Sequence, residues 1–348
     1  LLVASDTYHH EIKTVDLKGN VIRTIAGNNQ GSIENDGRPL DVKLNFPRGV
    51  TVVNQEIYVA DFGNHCIRKI DMLNDIVRGV AGTCGTGGYS GDGQSATTAQ
   101  LHYPSGVAVS SNGEIFIADY GNHVIRKVKD GIISTVAGVA GKGKFTGDDM
   151  FANNSTLYNP TDLVISPNGE LFIADHGNHC VRKIRNDGMI QLVAGQCAKM
   201  GFGGDGGMAV DALLSFPRGL AFTKEGDLLI ADYGNSCIRK VDVDGRIVTI
   251  AGRGKYVGYS GDKGISTSAR LTHPTGIAIS NSSDYYVADF GNHLIRVVVP
   301  NHTCHGVSNK NASVCSGFGY CVASDVCRCF HGYIGTRCNI RIIETPQN

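Results

Sequence analysis

Apolar residues along this chain come in short runs of four to six, rich in β-branched side chains and separated by glycine, asparagine and aspartate. They do not follow the three-to-four spacing of an amphipathic helix. The stretch from Pro47 to Gly82 shows the arrangement: Gly49–Val53, Ile57–Ala60, Cys66–Ile70 and Ile76–Ala81 are apolar, with polar or glycine-containing turns between them. Runs of this length between turn signals predict four short strands.

The pattern repeats. Ala60–Arg68 returns as near-copies at Ala118–Arg126, Ala174–Arg182, Ala231–Arg239 and Ala288–Arg296, and the markers Asp6, Asp61, Asp119, Asp175, Asp232 and Asp289 recur every 55–58 residues, which makes six units. In the Asp-Phe-Gly-Asn link, Asp and Asn are expected to bond their own backbone and Gly to take positive φ. A long glycine-rich connection, such as 85–103, follows each fourth strand, and Gly91-Asp92-Gly93 recurs approximately as Gly147-Asp148-Asp149, Gly204-Asp205-Gly206 and Gly261-Asp262-Lys263. Four antiparallel strands repeated six times predict an all-β, six-bladed β-propeller. Leu1–Ala26 holds the second to fourth strands of a blade and the unit from Pro274 the first to third. Neither completes the other, so residues preceding Leu1 or a second chain are expected to supply a strand. The open outer edge of the sixth blade and the alternating tail Asn339–Ile343 offer complementary surfaces to neighbouring molecules; the plainer expectation is that Ile342 and Ile343 pack locally or lead into a further domain.

The motif Ile-x-Val/Ile-Ala-Asp-x-Gly-Asn-His-x-Ile-Arg-Lys, with Pro-x-Gly-Val-Ala/Thr-Val upstream, resembles the NHL repeat over residues 1–300. The long loop departs from the usual repeat and is similar to the propellers of teneurins and secreted multi-domain proteins. Residues 301–340, with Cys304, Cys315, Cys321, Cys327, Cys329 and Cys338, resemble an EGF-like module, followed by a tail at 341–348. Six cysteines leave the pairing open on spacing alone; the resemblance implies Cys304–Cys321, Cys315–Cys327 and Cys329–Cys338. The acidic residues of calcium-binding EGF modules are absent before Cys304.

Charge and cysteine use narrow the setting. The 348 residues carry 32 basic and 32 acidic side chains, with no basic patch for nucleic acid and no apolar run near the about 20 residues of a membrane span. Cys66 and Cys84 begin a third strand and follow a fourth; Cys180 and Cys197 repeat the placement, so each pair is expected to form a disulfide within its hairpin. Cys237 has no such partner and is expected as a buried free thiol, an intermolecular bond being the alternative. Sequons at Asn153, Asn154, Asn281, Asn301 and Asn311 and a small disulfide-dependent module fit an oxidising, secreted setting.

Candidate chemistry is sparse. His10, His65, His123, His179 and His293 share one turn position, with Ser236 in the remaining unit. His65, His123 and His179 are the candidate metal ligands, since some peptidyl-hydroxyglycine lyases, whose propellers resemble this one, bind zinc through histidines at such turns. A hydrogen bond inside each blade explains a repeated histidine more simply. The loop aspartates Asp36, Asp92, Asp148, Asp205 and Asp262 invite a calcium reading, but Asp-Gly also forms turns and the ligand ladder of an EF-hand is missing. Arg68, Arg126, Arg182, Arg239 and Arg296 read as a packing or ion-pair position facing solvent or the neighbouring blade. No nucleophile elbow, His-Glu-x-x-His or phosphate loop is present, and Gly201–Gly206 copies a propeller loop rather than a dinucleotide fingerprint. The expectation is a secreted, non-enzymatic scaffold or adhesion glycoprotein without a cofactor, binding other extracellular proteins, with its own copies in a fibre or matrix among the candidates. The alternatives are a metal-dependent lyase or hydrolase using the channel histidines, and a ligand-sensing ectodomain shaped by loops such as Lys142–Tyr158.

Overall fold

A computed structural model of the chain describes residues 1–17, 19, 21–28, 31 and 36–299, together with short backbone segments further on. It separates into two units, Leu1–Ser280 with Tyr286–Arg296, and Asn281–Tyr285 with Val297–Asn348. The first unit is a six-bladed propeller. In the second, the described backbone beyond residue 300 forms short antiparallel pairs such as Gly319–Ala323 with Val326–Cys329. The expected EGF-like module over 301–340, its three disulfides, the tail at 341–348 and the sequons at Asn301 and Asn311 lie outside the described residues.

Blade 1 has β1 (Leu2–Asp6), β2 (Glu11–Asp16) and β3 (Val21–Ala26); blade 2 has β4 (Pro47–Val53), β5 (Glu56–Asp61), β6 (Cys66–Asp71) and β7 (Ile76–Ala81). Blade 3 has β8 (Pro104–Val109), β9 (Ile115–Asp119), β10 (Val124–Lys129) and β11 (Ile132–Ala137). Blade 4 has β12 (Met150–Phe151), β13 (Leu163–Ile165), β14 (Leu171–Asp175), β15 (Cys180–Ile184) and β16 (Met189–Ala194), where β12 belongs to the preceding long loop and adds a fifth strand outside β16. Blade 5 has β17 (Pro217–Phe222), β18 (Leu228–Asp232), β19 (Cys237–Val241) and β20 (Ile247–Ala251), and blade 6 has β21 (Ile277–Ile279), β22 (Tyr285–Asp289) and β23 (Leu294–Val298). Apart from β12, the strands of each blade neighbour one another in chain order.

The second strands are apolar on both faces because each blade is packed between two others. Tyr58, Ala60 and Ile67 of blade 2 join Val107, Ile115, Ile117, Val128 and Ile133 of blade 3 in one buried cluster, and equivalent residues of blades 4 and 5 form another. Burying such side chains stabilises by roughly 1.5–3 kcal/mol each. Tyr8 meets Phe290 with ring centroids 5.7 Å apart, so the first blade touches the sixth.

The turn after each second strand is built differently from the expectation. His10, His65, His123, His179, Ser236 and His293 take the left-handed conformation, with φ between 53° and 63°. The glycine of the turn is needed for another reason: a Cβ on Gly121 would stand 2.7 Å from the His102 carbonyl, to which the Gly121 N–H donates.

Candidate functional site

The repeated residues form one buried frame per blade. At the end of the second strand, Asp61 accepts the Asn45 N–H at 2.7 Å, the Asn64 side-chain amide at 2.8 Å and Arg68 Nε at 2.7 Å. Asp119, Asp175 and Asp232 occupy the same place, and burial pushes them up to about 7, 6 and 6 against the pull of these donors. Arg68, Arg126, Arg182 and Arg239 are 0 % exposed rather than turned to solvent. Three of them also reach the loop aspartate that precedes their blade: Arg126–Asp92 at 2.7 Å, Arg182–Asp148 at 2.8 Å and Arg239–Asp205 at 2.6 Å, with Arg296–Asp262 repeating the pair at 2.5 Å. Tyr89, Phe145, Phe202 and Tyr259 cover the four guanidiniums at 4.9–5.2 Å. Those loop aspartates are thus ion-pair partners that strap each long loop to the next blade. Asp36 instead accepts the Gly79 N–H at 3.3 Å.

The turn histidines also act between blades, not within one. His10 Nδ1 accepts the Phe46 N–H at 3.0 Å, His65 that of Tyr103 at 3.1 Å, His123 that of Asn159 and His179 that of Phe216, both at 3.2 Å. Each donor is the residue before the proline that opens or precedes a first strand and has positive φ itself. Burial holds His65, His123 and His179 below the ordinary imidazole value. Each stands in its own blade, and among the described residues no three His, Cys, Asp or Glu side chains gather as a metal site.

Cys66–Cys84 and Cys180–Cys197 are disulfides with Cα atoms 5.1 Å apart, each joining the start of a third strand to the residues after the fourth. Cys237 is buried and free, and burial pushes its thiol well above the ordinary range. In its blade the Phe202 ring packs where a Cβ on Gly254 would be, within 2.2 Å. Asn153, Asn154 and Asn281 are exposed.

The irregular part of the molecule is the channel and its mouth. First strands β4, β8, β13, β17 and β21 line a channel of ≈ 420 Å³, with Val50, Val107, Leu163, Leu220, Phe222 and Ile277 among its walls. Asp162 stands there where the other repeats have Gly49, Gly106, Gly219 and Gly276; it accepts the Leu220 N–H at 2.9 Å, and burial pushes it up to about 6. At the end where these strands begin, the residue after the turn aspartate is Thr7, Phe62, Tyr120, His176, Tyr233 or Phe290 in successive blades. Arg48 lies over Phe62 at 3.5 Å and within 5.9 Å of Tyr120; Arg218 lies over Tyr233 at 4.2 Å. Burial first and then the positive charge of Arg218 push Arg48 down to about 10, and burial also lowers Arg218. His176 donates from Nδ1 to the Pro217 carbonyl at 3.2 Å, and burial with the charge of Arg218 takes it down to about 4. Arg218 Nε is enclosed without a hydrogen-bond partner. Among the described residues no carboxylate pairs with Arg48 or Arg218. The mouth is a neutral imidazole, aromatic faces and two uncompensated cations.

Sequence reasoning weighed the repeated residues and passed over these. Arg48 and Arg218 fill the variable place of Pro-x-Gly, where the other repeats have Ser105, Thr161 and Thr275, and His176 replaces an aromatic residue. The signal was departure from the repeat.

The Teneurin NHL domain matches residues 71–144 and 185–258, and the NHL repeat matches residues 44–70, 157–184 and 271–298. NHL repeat-containing protein 2 of Bos taurus is 32% identical over 329 residues, covering 85% of this chain and 44% of that protein. Teneurin-m of Drosophila melanogaster is 28% identical over 301 residues, covering 74% of this chain and 11% of its own length. The chain therefore spans less than half of the curated relatives it matches. Among solved structures, a virginiamycin B lyase from Staphylococcus aureus superposes with a TM-score of 0.51 at 14% identity, over 86% of this chain and 80% of that one, a likeness of fold alone.

Proposed function

Starting from a chain built of NHL repeats folded as a six-bladed β-propeller, we propose that it is a non-catalytic binding scaffold of the extracellular space, with copies of itself among its protein partners. One observation carries this reading. The ionisable residues that the repeats share are consumed inside the frame, as Asp175–Arg182–Asp148 shows, so the molecule offers rigid surfaces instead of reactive groups. Two disulfides and exposed sequon asparagines at 153, 154 and 281 support an oxidising, glycosylating compartment. The outer edge of blade 6 supports self-association: among the described residues no fourth strand pairs with β23, and Leu294 and Ile295 are 43% and 42% exposed where their counterparts Cys66 and Ile67 are 0%. Light scattering and electron microscopy of the whole chain test it. Concentration-dependent assemblies that Ile295→Lys disperses are expected; a wild-type chain that stays monomeric at high concentration refutes self-association.

A further inference from the structure

We infer that the channel mouth is a binding site for a carboxylate on a short apolar stem, held between Arg48 and Arg218. The two side chains come from blades 2 and 5, and each lies over the ring that follows its own blade's turn aspartate, Phe62 at 3.5 Å and Tyr233 at 4.2 Å, with Arg48 reaching on to Tyr120 of blade 3 at 5.9 Å, so both stand at the channel end where the first strands begin. Two like charges brought together half-buried repel each other, and burying them without an anion is unfavourable. The rings beneath them offset part of that cost and fix the planes of the guanidiniums, Arg48 at 3.5 Å over Phe62 and Arg218 at 4.2 Å over Tyr233. Stacking occupies the faces and leaves the N–H edges for a ligand. Arg218 Nε is itself enclosed and has no partner in the protein, so the terminal Nη edges are what the two guanidiniums have left to offer.

The class of anion follows from what surrounds the pair. Guanidinium forks match a carboxylate in plane. The strands that carry Arg48 and Arg218 continue within two residues into channel walls that include Val50 and Leu220, which suit an aliphatic stem. A phosphate is ordinarily cradled by backbone N–H groups at a helix N-terminus or glycine nest, and the turns here spend theirs: the Gly121 and His123 N–H groups bond to the His102 and Tyr120 carbonyls. Nucleic acid would need a train of cations along a face, whereas 32 basic residues balance 32 acidic ones and the mouth holds two. The carboxylate can belong to a free organic acid or to a glutamate side chain of another protein. The site stands apart from the scaffold reading and survives its failure.

Thermal unfolding of the whole chain at constant ionic strength tests the inference, with sodium hexanoate, a capped Gly-Glu-Gly peptide or inorganic phosphate exchanged for chloride. Because the chain has no tryptophan, tyrosine emission gives a second readout from Tyr8, Tyr120 and Tyr233. Hexanoate or the peptide is expected to raise the Tm saturably by about 2 °C and to change the tyrosine signal. Both effects should fall by more than half in Arg218→Gln and in Arg48→Gln, while Arg218→Lys retains part of them. The stronger of the two carboxylates identifies the source. No response beyond chloride, an equal response in folded Gln variants, or a response to phosphate alone overturns the inference.

Discussion

Replacing Arg126 by Met tests how much one frame holds. Arg126 is 0% exposed and donates to the Ser90 carbonyl at 3.0 Å, the Gln100 carbonyl at 3.3 Å and Asp92 at 2.7 Å, while Asp119 lies 3.6 Å from it. Methionine replaces the apolar stem, so little cavity remains. What is lost is the cation beside Asp119, which is itself 0% exposed and keeps only the His102 N–H and the Asn122 amide. Stranding one partner of a buried pair costs about 3–5 kcal/mol. Asp92→Asn removes only the outer ion pair of Arg126, where the carboxylate is 41% exposed, and leaves the pair with Asp119 in place, so it should cost under about 1 kcal/mol. Adding Asp119→Asn to Arg126→Met removes the stranded charge and should restore a substantial part of the loss. Urea unfolding midpoints at about pH 8.5, above the value of about 7 to which burial raises Asp119, give all four values. A loss below about 1 kcal/mol for Arg126→Met, or no recovery in the double variant, refutes the role assigned to the frame.

Asp162→Asn carries a pH signature. Asp162 holds its proton up to about 6 in the fold and to 3.8 ordinarily, so its contribution is fully favourable below 3.8 and is lost as pH rises through about 6. The gap is worth about 2–3 kcal/mol, and Tm scans from pH 4 to pH 7.5 should show the Asn variant gaining on the wild type across that window; a constant difference contradicts the burial of an unpaired carboxyl. Gly121→Ala places a Cβ 2.7 Å from the His102 carbonyl and should cost about 1–3 kcal/mol in the same unfolding assay, a neutral result ruling out the close approach.

The propeller was legible because its strands are short, its turns chemically marked and its period nearly constant. The contacts that join blades were not. His65 and Tyr103, or Asp92 and Arg126, are 38 and 34 positions apart across a loop whose path no local pattern reveals. A turn histidine in αL and a glycine reserved for a carbonyl's approach leave the same letters as a glycine turn. The mouth was least legible: periodicity selects what repeats, and Arg48, Arg218, Asp162 and His176 are the positions that do not.

The loop straps have a bearing on how such a chain could have been copied. A duplication cut at blade edges would part Asp92 from Arg126, whereas one beginning after an outer strand, near Gly82, and running through Ala137 keeps that clamp and its Tyr89 lid inside a single segment. The bond from a turn histidine to the amide ahead of the next proline would still be cut, but every copy brings an equivalent histidine and an equivalent amide, so the joint re-forms at each new junction. A segment cut this way is one whole blade with the loop ahead of it, and copies of it would join with matching ends.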